Sequence, residues 1–280
     1  MAVILVPTAD RPECVFALDA AFGLAQALDA SVAGCHVRGA RHEHSPDATA
    51  RLRVADAEPA GSTTIDSTAA RRLFAEAAEA HGFAVTRRFA ARHRDRAVWH
   101  ELVGSPARAL GIAGPVADFS IVSRPKAQSG GRARAFLLAA LLDTGRPVLV
   151  LPQRRLAKLA RRVVVAWNQS SEAAKAAAAA IPMLKVAERV VIASSGRENR
   201  AGPRSSQLAQ YLATYDVAAE CVRTRGRDVE GEIHEVFANV GADLIVMGAY
   251  SRSRLREILF GGVTEHMLFA TNLPVFMLHH

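Results

Sequence analysis

The chain has 280 residues, a formal net charge of +8 and a pI near 10.1, and half of its residues are hydrophobic. That length holds one large or two ordinary domains, and that hydrophobic share argues against wholesale disorder. No apolar run approaches the ~20 residues of a membrane span, and the start, MAVILVPTAD, lacks the basic opening of a signal peptide.

In chain order, AVILVPTAD reads as a first strand, and the alanine-rich run ending LAQAL reads as a helix. VADFSIVSRP (Val116–Pro125) and TGRPVLVLP (Thr144–Pro152) carry two later strands. QRRLAKLARR, from Gln153 to Arg162, is a basic linker without a strong apolar face. Beyond it, strands are expected near Val163–Trp167, Val190–Ser194, Ala219–Arg223, Asp243–Gly248 and Pro274–Leu278. Helices are expected near Ser171–Leu184, Ser205–Tyr215, Glu230–Val240 and Val263–Ala270.

The chain repeats itself. The opening strand and helix resemble RVVVAWNQSSEAAKAAAAAIPML from Arg162. VADFSIVSRP matches GADLIVMGAY (Gly241–Tyr250), and TGRPVLVLP matches TNLPVFMLH (Thr271–His279). Three matches in one order point to two homologous domains, residues 1–153 and 160–280. Strands that are continuous apolar runs, alternating with helices, indicate doubly wound parallel sheets buried on both faces.

Ligands of such sheets sit at the carboxyl ends of the strands, where strand order reverses. In the second half those positions are Trp167, Asn168 and Gly248 onward. Asp118 and Asp243 stand at the amino ends of their strands and read as structural. After Gly248 comes an arginine-bearing loop closed by Gly261 and Gly262, then Val263 and Thr264 at the start of a helix. Free N–H groups and the helix dipole there favour an anion. The other reading is a Gly-Gly turn with Arg252, Arg254 and Arg256 in water.

Remaining features are plain. Cys14, Cys35 and Cys221 are odd in number and unpatterned, which fits reduced thiols in a cytoplasm. Cys221 falls in an expected strand and reads as a small buried hydrophobe. No Cys or His spacing suits zinc, and the terminal His279-His280 pair does not make a metal site. The arginine clusters lack interleaved aromatics, so solvated faces are favoured over a nucleic-acid platform. Ser170-Ser171 reads as a helix N-cap, Trp167 as packing rather than a base stack, and Ser194-Ser195-Gly196 as a loop.

Gly248-x2-Ser251-x9-Gly261-Gly262-Val263-Thr264 resembles the universal stress protein pattern, in which glycine-x2-glycine-x9-glycine is followed by serine or threonine. With the duplication, the whole chain resembles a tandem universal stress protein. The resemblance implies α/β domains, each a five-stranded parallel sheet of order 3-2-1-4-5 with helices on both faces. Members with the intact pattern bind ATP. Carried over by position, Ala166 and Asn168 would flank the adenine. Met247, Gly248, Ser251 and Arg252 would line ribose and phosphates. Gly261, Gly262, Val263 and Thr264 would hold the phosphates.

Three departures bear on affinity. Ser251 replaces a glycine, at ~1–2 kcal/mol if positive φ is required. Gly262 removes a hydroxyl hydrogen bond worth roughly 0.5–1.5 kcal/mol. Asn168 replaces an aspartate and carries no charge. In the first half Ser123 takes the place of Gly248, Ala135 falls near the Gly262 position, and Ala9 or Asp10 would meet a base; Gly130-Gly131 comes too early and reads as a flexible loop. That half is expected to have lost nucleotide binding.

The function expected is a cytoplasmic, stress-response, nucleotide-binding protein, not an enzyme. Its ligand is ATP or another adenine nucleotide, with Mg²⁺ accompanying ATP, in the second domain. The alternatives are a ligand-free interaction module, and a slow Mg²⁺-dependent ATPase using Glu265 or His266. The resemblance also allows a homodimer through the last strands and a protein partner of unknown identity.

Overall fold

The computed structural model describes residues 2–38, 63–88, 96–126, 130–199, 201–249 and 262–279. The chain divides into two compact units, Met1–Arg146 with Gln153–Arg155, and Pro147–Pro152 with Leu156–His280. Among the described residues, no helix is long and apolar enough to cross a membrane.

The first unit runs β1 (Val3–Pro7), α1 (Pro12–Leu28), β2 (Ser31–Arg38), α2 (Thr63–Ala80), β3 (Ala84–Thr86), β4 (Arg96–Val103), α3 (Pro106–Ala113), β5 (Phe119–Ser123) and α4 (Gly130–Leu142). Its sheet is parallel, in the order β3-β4-β2-β1-β5, with the short β3 at the edge. Ile4, Leu5 and Val6 are buried in a row, as a central parallel strand requires. Phe22, Phe74, Phe83 and Trp99 pack with ring centroids 5.1–5.5 Å apart. Gly34 makes that cluster possible, because a Cβ there would lie 2.6 Å from the Phe74 ring.

The second unit comprises β6 (Val148–Leu151), β7 (Arg162–Trp167), α5 (Ser171–Ala179), α6 (Ile181–Val186), β8 (Arg189–Ser195), α7 (Ser205–Ala213), β9 (Ala219–Thr224), α8 (Val229–Val240), β10 (Leu244–Gly248), α9 (Gly262–Glu265) and β11 (Val275–Leu278). After Glu265, α9 continues as a π-helical turn over His266–Ala270. Strands pair β9-β8-β7-β10-β11, all parallel. A sixth strand, β6, lies antiparallel on β11 with Leu149 opposite Phe276. Both strands are fully buried, so the outer edge of β11 is occupied. A homodimer joined through that last strand therefore has no free edge to use.

Three expectations need correction. The single helix expected over Ser171–Leu184 is two, α5 and α6, parted at Ala180. Pro182 has no N–H to continue the ladder, so a new helix starts around it. Gly130 and Gly131 are not a loop but the first residues of α4, where missing side chains matter least. Cys221 is exposed, because β9, an edge strand among the described residues, pairs with β8 and presents Glu220–Arg223 to solvent.

The repeat is visible atom by atom. Asp118 N–H donates to Val3 O at 2.8 Å, and its carboxylate accepts from Val3 N at 2.7 Å. Asp243 N–H donates to Arg162 O at 2.9 Å. Its carboxylate accepts from the backbone of Arg161 and Arg162 at 3.0 and 3.2 Å. Each aspartate clasps the start of its unit's first strand, which is a structural role. Burial pushes the Asp243 carboxyl up, against the pull of the backbone N–H groups.

Candidate functional site

Strand pairing assembles the second unit's candidate site. Ala166 on β7 stands opposite Met247 on β10. Asn168 and Gly248, eighty residues apart in sequence, therefore leave the sheet side by side. Asn168 is exposed, and its Oδ1 accepts from Ser170 N at 3.1 Å in an Asx turn. Ser170 then caps α5, its hydroxyl accepting from Ala173 N at 3.1 Å. Gln169 between them takes a left-handed φ of 62° and donates to Gly202 O.

Trp167 is not an open stacking face. It is 3% exposed, and its indole N–H donates to Pro203 O at 2.9 Å. Gly248 has a packing reason to be glycine. A Cβ there would stand 2.5 Å from Ala173 N and 2.7 Å from the Glu172 carbonyl carbon. Bare backbone at the end of β10 lets the first turn of α5 seat against it.

Met247 and Thr264 are buried, and Val263 is half-buried on α9. Gly262 opens α9. Ser251, Arg252 and Gly261, the rest of the expected site, lie outside the described residues. Of the two residues considered for hydrolysis, Glu265 is exposed, while His266 is engaged by α8. Its Nε2 lies 3.3 Å from His234 Nε2, and its Nδ1 lies 3.6 Å from Glu230.

The loop at the ends of β8 and β9 is tied by Glu232. One carboxylate oxygen accepts from Gly226 N at 2.8 Å and from the Thr224 hydroxyl, the other from Arg227 N at 3.0 Å. The Thr224 hydroxyl first, with the backbone N–H groups, brings this carboxyl down to about 2 against a smaller desolvation effect. Ser194 and Ser195, expected in a loop, instead close β8, and the Ser195 hydroxyl donates to the same carboxylate at 3.5 Å. Among the described residues, no group of three or more His, Cys, Asp or Glu side chains could hold a metal.

The equivalent strand ends in the first unit differ. Ser123 occupies the Gly248 position, and its hydroxyl donates to Glu13 O at 2.6 Å, bracing the first turn of α1. Beside it lies a cavity of about 190 Å³ bounded by the ends of β1, β2 and β5 and the starts of α1 and α4. Apolar periodicity alone does not reveal such a cavity. The available signal was an arginine, Arg38, closing the otherwise apolar strand SVAGCHVR.

Residues 160–279 match the family model described as Universal stress protein family. The second half of the chain therefore resembles universal stress proteins in sequence. A universal stress protein from Archaeoglobus fulgidus superposes with a TM-score of 0.70 at 17% identity, over 99% of this chain and 98% of that one. A putative universal stress protein from Pseudomonas aeruginosa superposes at 0.58 with 15% identity, over 100% and 93%. These likenesses establish the fold over both halves. A curated universal stress protein of Methanocaldococcus jannaschii is 41% identical over 44 residues, which span 16% of this chain and 27% of that relative. The matched part is thus about a quarter of that relative's length.

Proposed function

We propose that the second unit binds an adenine nucleotide, ATP or a close relative, at the ends of β7 and β10 and the start of α9. The observation that carries this reading is the β7–β10 register, which sets the exposed Asn168 beside Gly248 in the half that matches the universal stress protein family. Asn168 offers both a donor and an acceptor to a base edge. Gly248 and Met247 face ribose, and Gly262, Val263 and Thr264 offer the phosphates the amides of a helix start. The same reading assigns ribose and phosphate contacts to Ser251, Arg252 and Gly261, which lie outside the described residues. Mg²⁺ travels with ATP as its counter-ion.

The reading is of binding without chemistry; it is supported by His266 lying against His234 and Glu230, and a Glu265→Gln variant tests the exposed Glu265. The protein works in the cytoplasm, where its three free thiols stay reduced.

A second reading, a ligand-free interaction module, is favoured by one observation. Close packing of α5 already accounts for glycine at 248. Native mass spectrometry of the freshly purified chain, followed by ATP titration, separates the two. Nucleotide binding reads as one adenine nucleotide per chain, lost in Gly261→Glu and weakened in Asn168→Ala. An empty chain that also ignores millimolar ATP leaves the interaction module standing.

A further inference from the structure

The first-unit cavity carries chemistry of its own. It is lined by the first turns of α1 and α4 and by Asp66 near the start of α2. Arg38, the last residue of β2, forms part of its wall with a side chain only 9% exposed. Its Nε is buried and has no hydrogen-bond partner among the described residues. Glu101 forms an ion pair with this nitrogen at 3.8 Å, which balances charge but lies beyond hydrogen-bond reach. One oxygen of Glu101 is already taken, accepting from the Ser67 hydroxyl at 2.6 Å and the Trp99 indole at 3.2 Å. A nearly buried guanidinium with an unmet donor is costly unless an acceptor enters the cavity.

The polar walls are themselves spent. Thr8 donates to Val6 O, His36 Nδ1 donates to Thr8 O, and Ser123 donates to Glu13 O. Arg132, at the exposed mouth, gives one terminal N–H to Val37 O and lies over the Phe136 ring at 6.0 Å; a guanidinium carries five N–H donors in all. The remaining surface is apolar: Ala17, Val37, Val122 and Phe136, with the buried thiol of Cys14. Three carboxylates, Asp10, Glu13 and Asp66, also border the cavity. Glu13 pairs with Arg11 at 3.8 Å, and Asp10 and Asp66 are exposed. Those acids disfavour a multiply charged polyphosphate more than a single carboxylate, because repulsion scales with ligand charge. The size agrees, because a ~150 Å³ cavity is known to admit benzene, and about 190 Å³ leaves room for a six-membered ring and a carboxylate.

We propose that the first unit binds a small apolar carboxylate of about benzoate's size, its oxygens on Arg38 and Arg132 and its body against Phe136, Val37 and Val122. This site is independent of the nucleotide reading for the second unit. Isothermal titration of the full chain with benzoate, beside its neutral counterpart benzamide, tests it. The expected result is one benzoate per chain, with benzamide at least about tenfold weaker because it offers no charge to the guanidinium groups. Arg132→Ala should weaken benzoate by about tenfold, the scale of a charge-assisted hydrogen bond. Ala133→Phe fills the cavity from a half-exposed position on α4 and should abolish binding while circular dichroism stays unchanged. Absence of benzoate heat at ten-millimolar ligand overturns the proposal. Equal binding of benzamide, or binding that survives Ala133→Phe, overturns it too.

Discussion

The two units share a plan and part company at one end of their sheets. At the amino ends, Asp118 and Asp243 make the same reciprocal clasp to the first strand. At the carboxyl ends, the first unit has Ser123 hydrogen-bonded to the start of α1, and the second has Gly248 packed directly under the start of α5. A duplicated fold keeps its hydrogen-bonded frame wherever the backbone needs it. It is free to diverge where the strands open to a ligand.

The sharpest contrast should be in thiol reactivity. Burial pushes the Cys14 thiol up to about 11 and the Cys35 thiol up to about 12. At pH 8 Cys14 is then ionised to roughly one part in a thousand. In the native chain, iodoacetamide should label the exposed Cys221 and leave both first-unit thiols unmodified, read by peptide mass spectrometry. Rapid labelling of Cys14 would mean that the first unit opens readily.

The next effect is steric. Gly248→Ala drives a methyl into the α5 backbone and should destabilise by about 1–3 kcal/mol in urea unfolding, as overpacking does. Ser123→Ala at the matching place removes one hydrogen bond, and about 0.5–1.5 kcal/mol is expected. Equal losses would erase the distinction drawn between the two strand ends.

A smaller effect concerns acid. Glu232 titrates near 2 in the folded chain, below its ordinary value of 4.5. Its contribution is therefore fully present above pH 4.5 and lost as the pH falls toward 2. Glu232→Gln should lower stability at neutral pH and flatten the decline below pH 4.5, followed by circular dichroism. An unchanged acid profile would show that the β8–β9 loop does not depend on this carboxylate.

Much of the fold was legible in the sequence. Uninterrupted apolar runs such as VVVAW and LIVM announce buried parallel strands, and aspartates at the amino ends of strands announce structural roles. What was hidden depends on contacts between distant segments. The reason for glycine at 248 lies in Glu172 and Ala173, which only the packing of α5 brings near. Arg38 and Arg132 share a cavity across ninety-four residues of sequence, because β2, β1 and β5 are neighbours in the sheet. The antiparallel partner of β11 could not be read either, since VLVL specifies a buried strand but not its neighbour.

Hydrogen exchange of the full chain with and without ATP tests the central claim most directly, because it reads both units in one experiment. The account predicts protection in peptides covering Ala166–Ser170 and Gly248–Thr264, and none in Thr8–Ala17. Protection confined to the first unit, or none anywhere at saturating ATP, would contradict it.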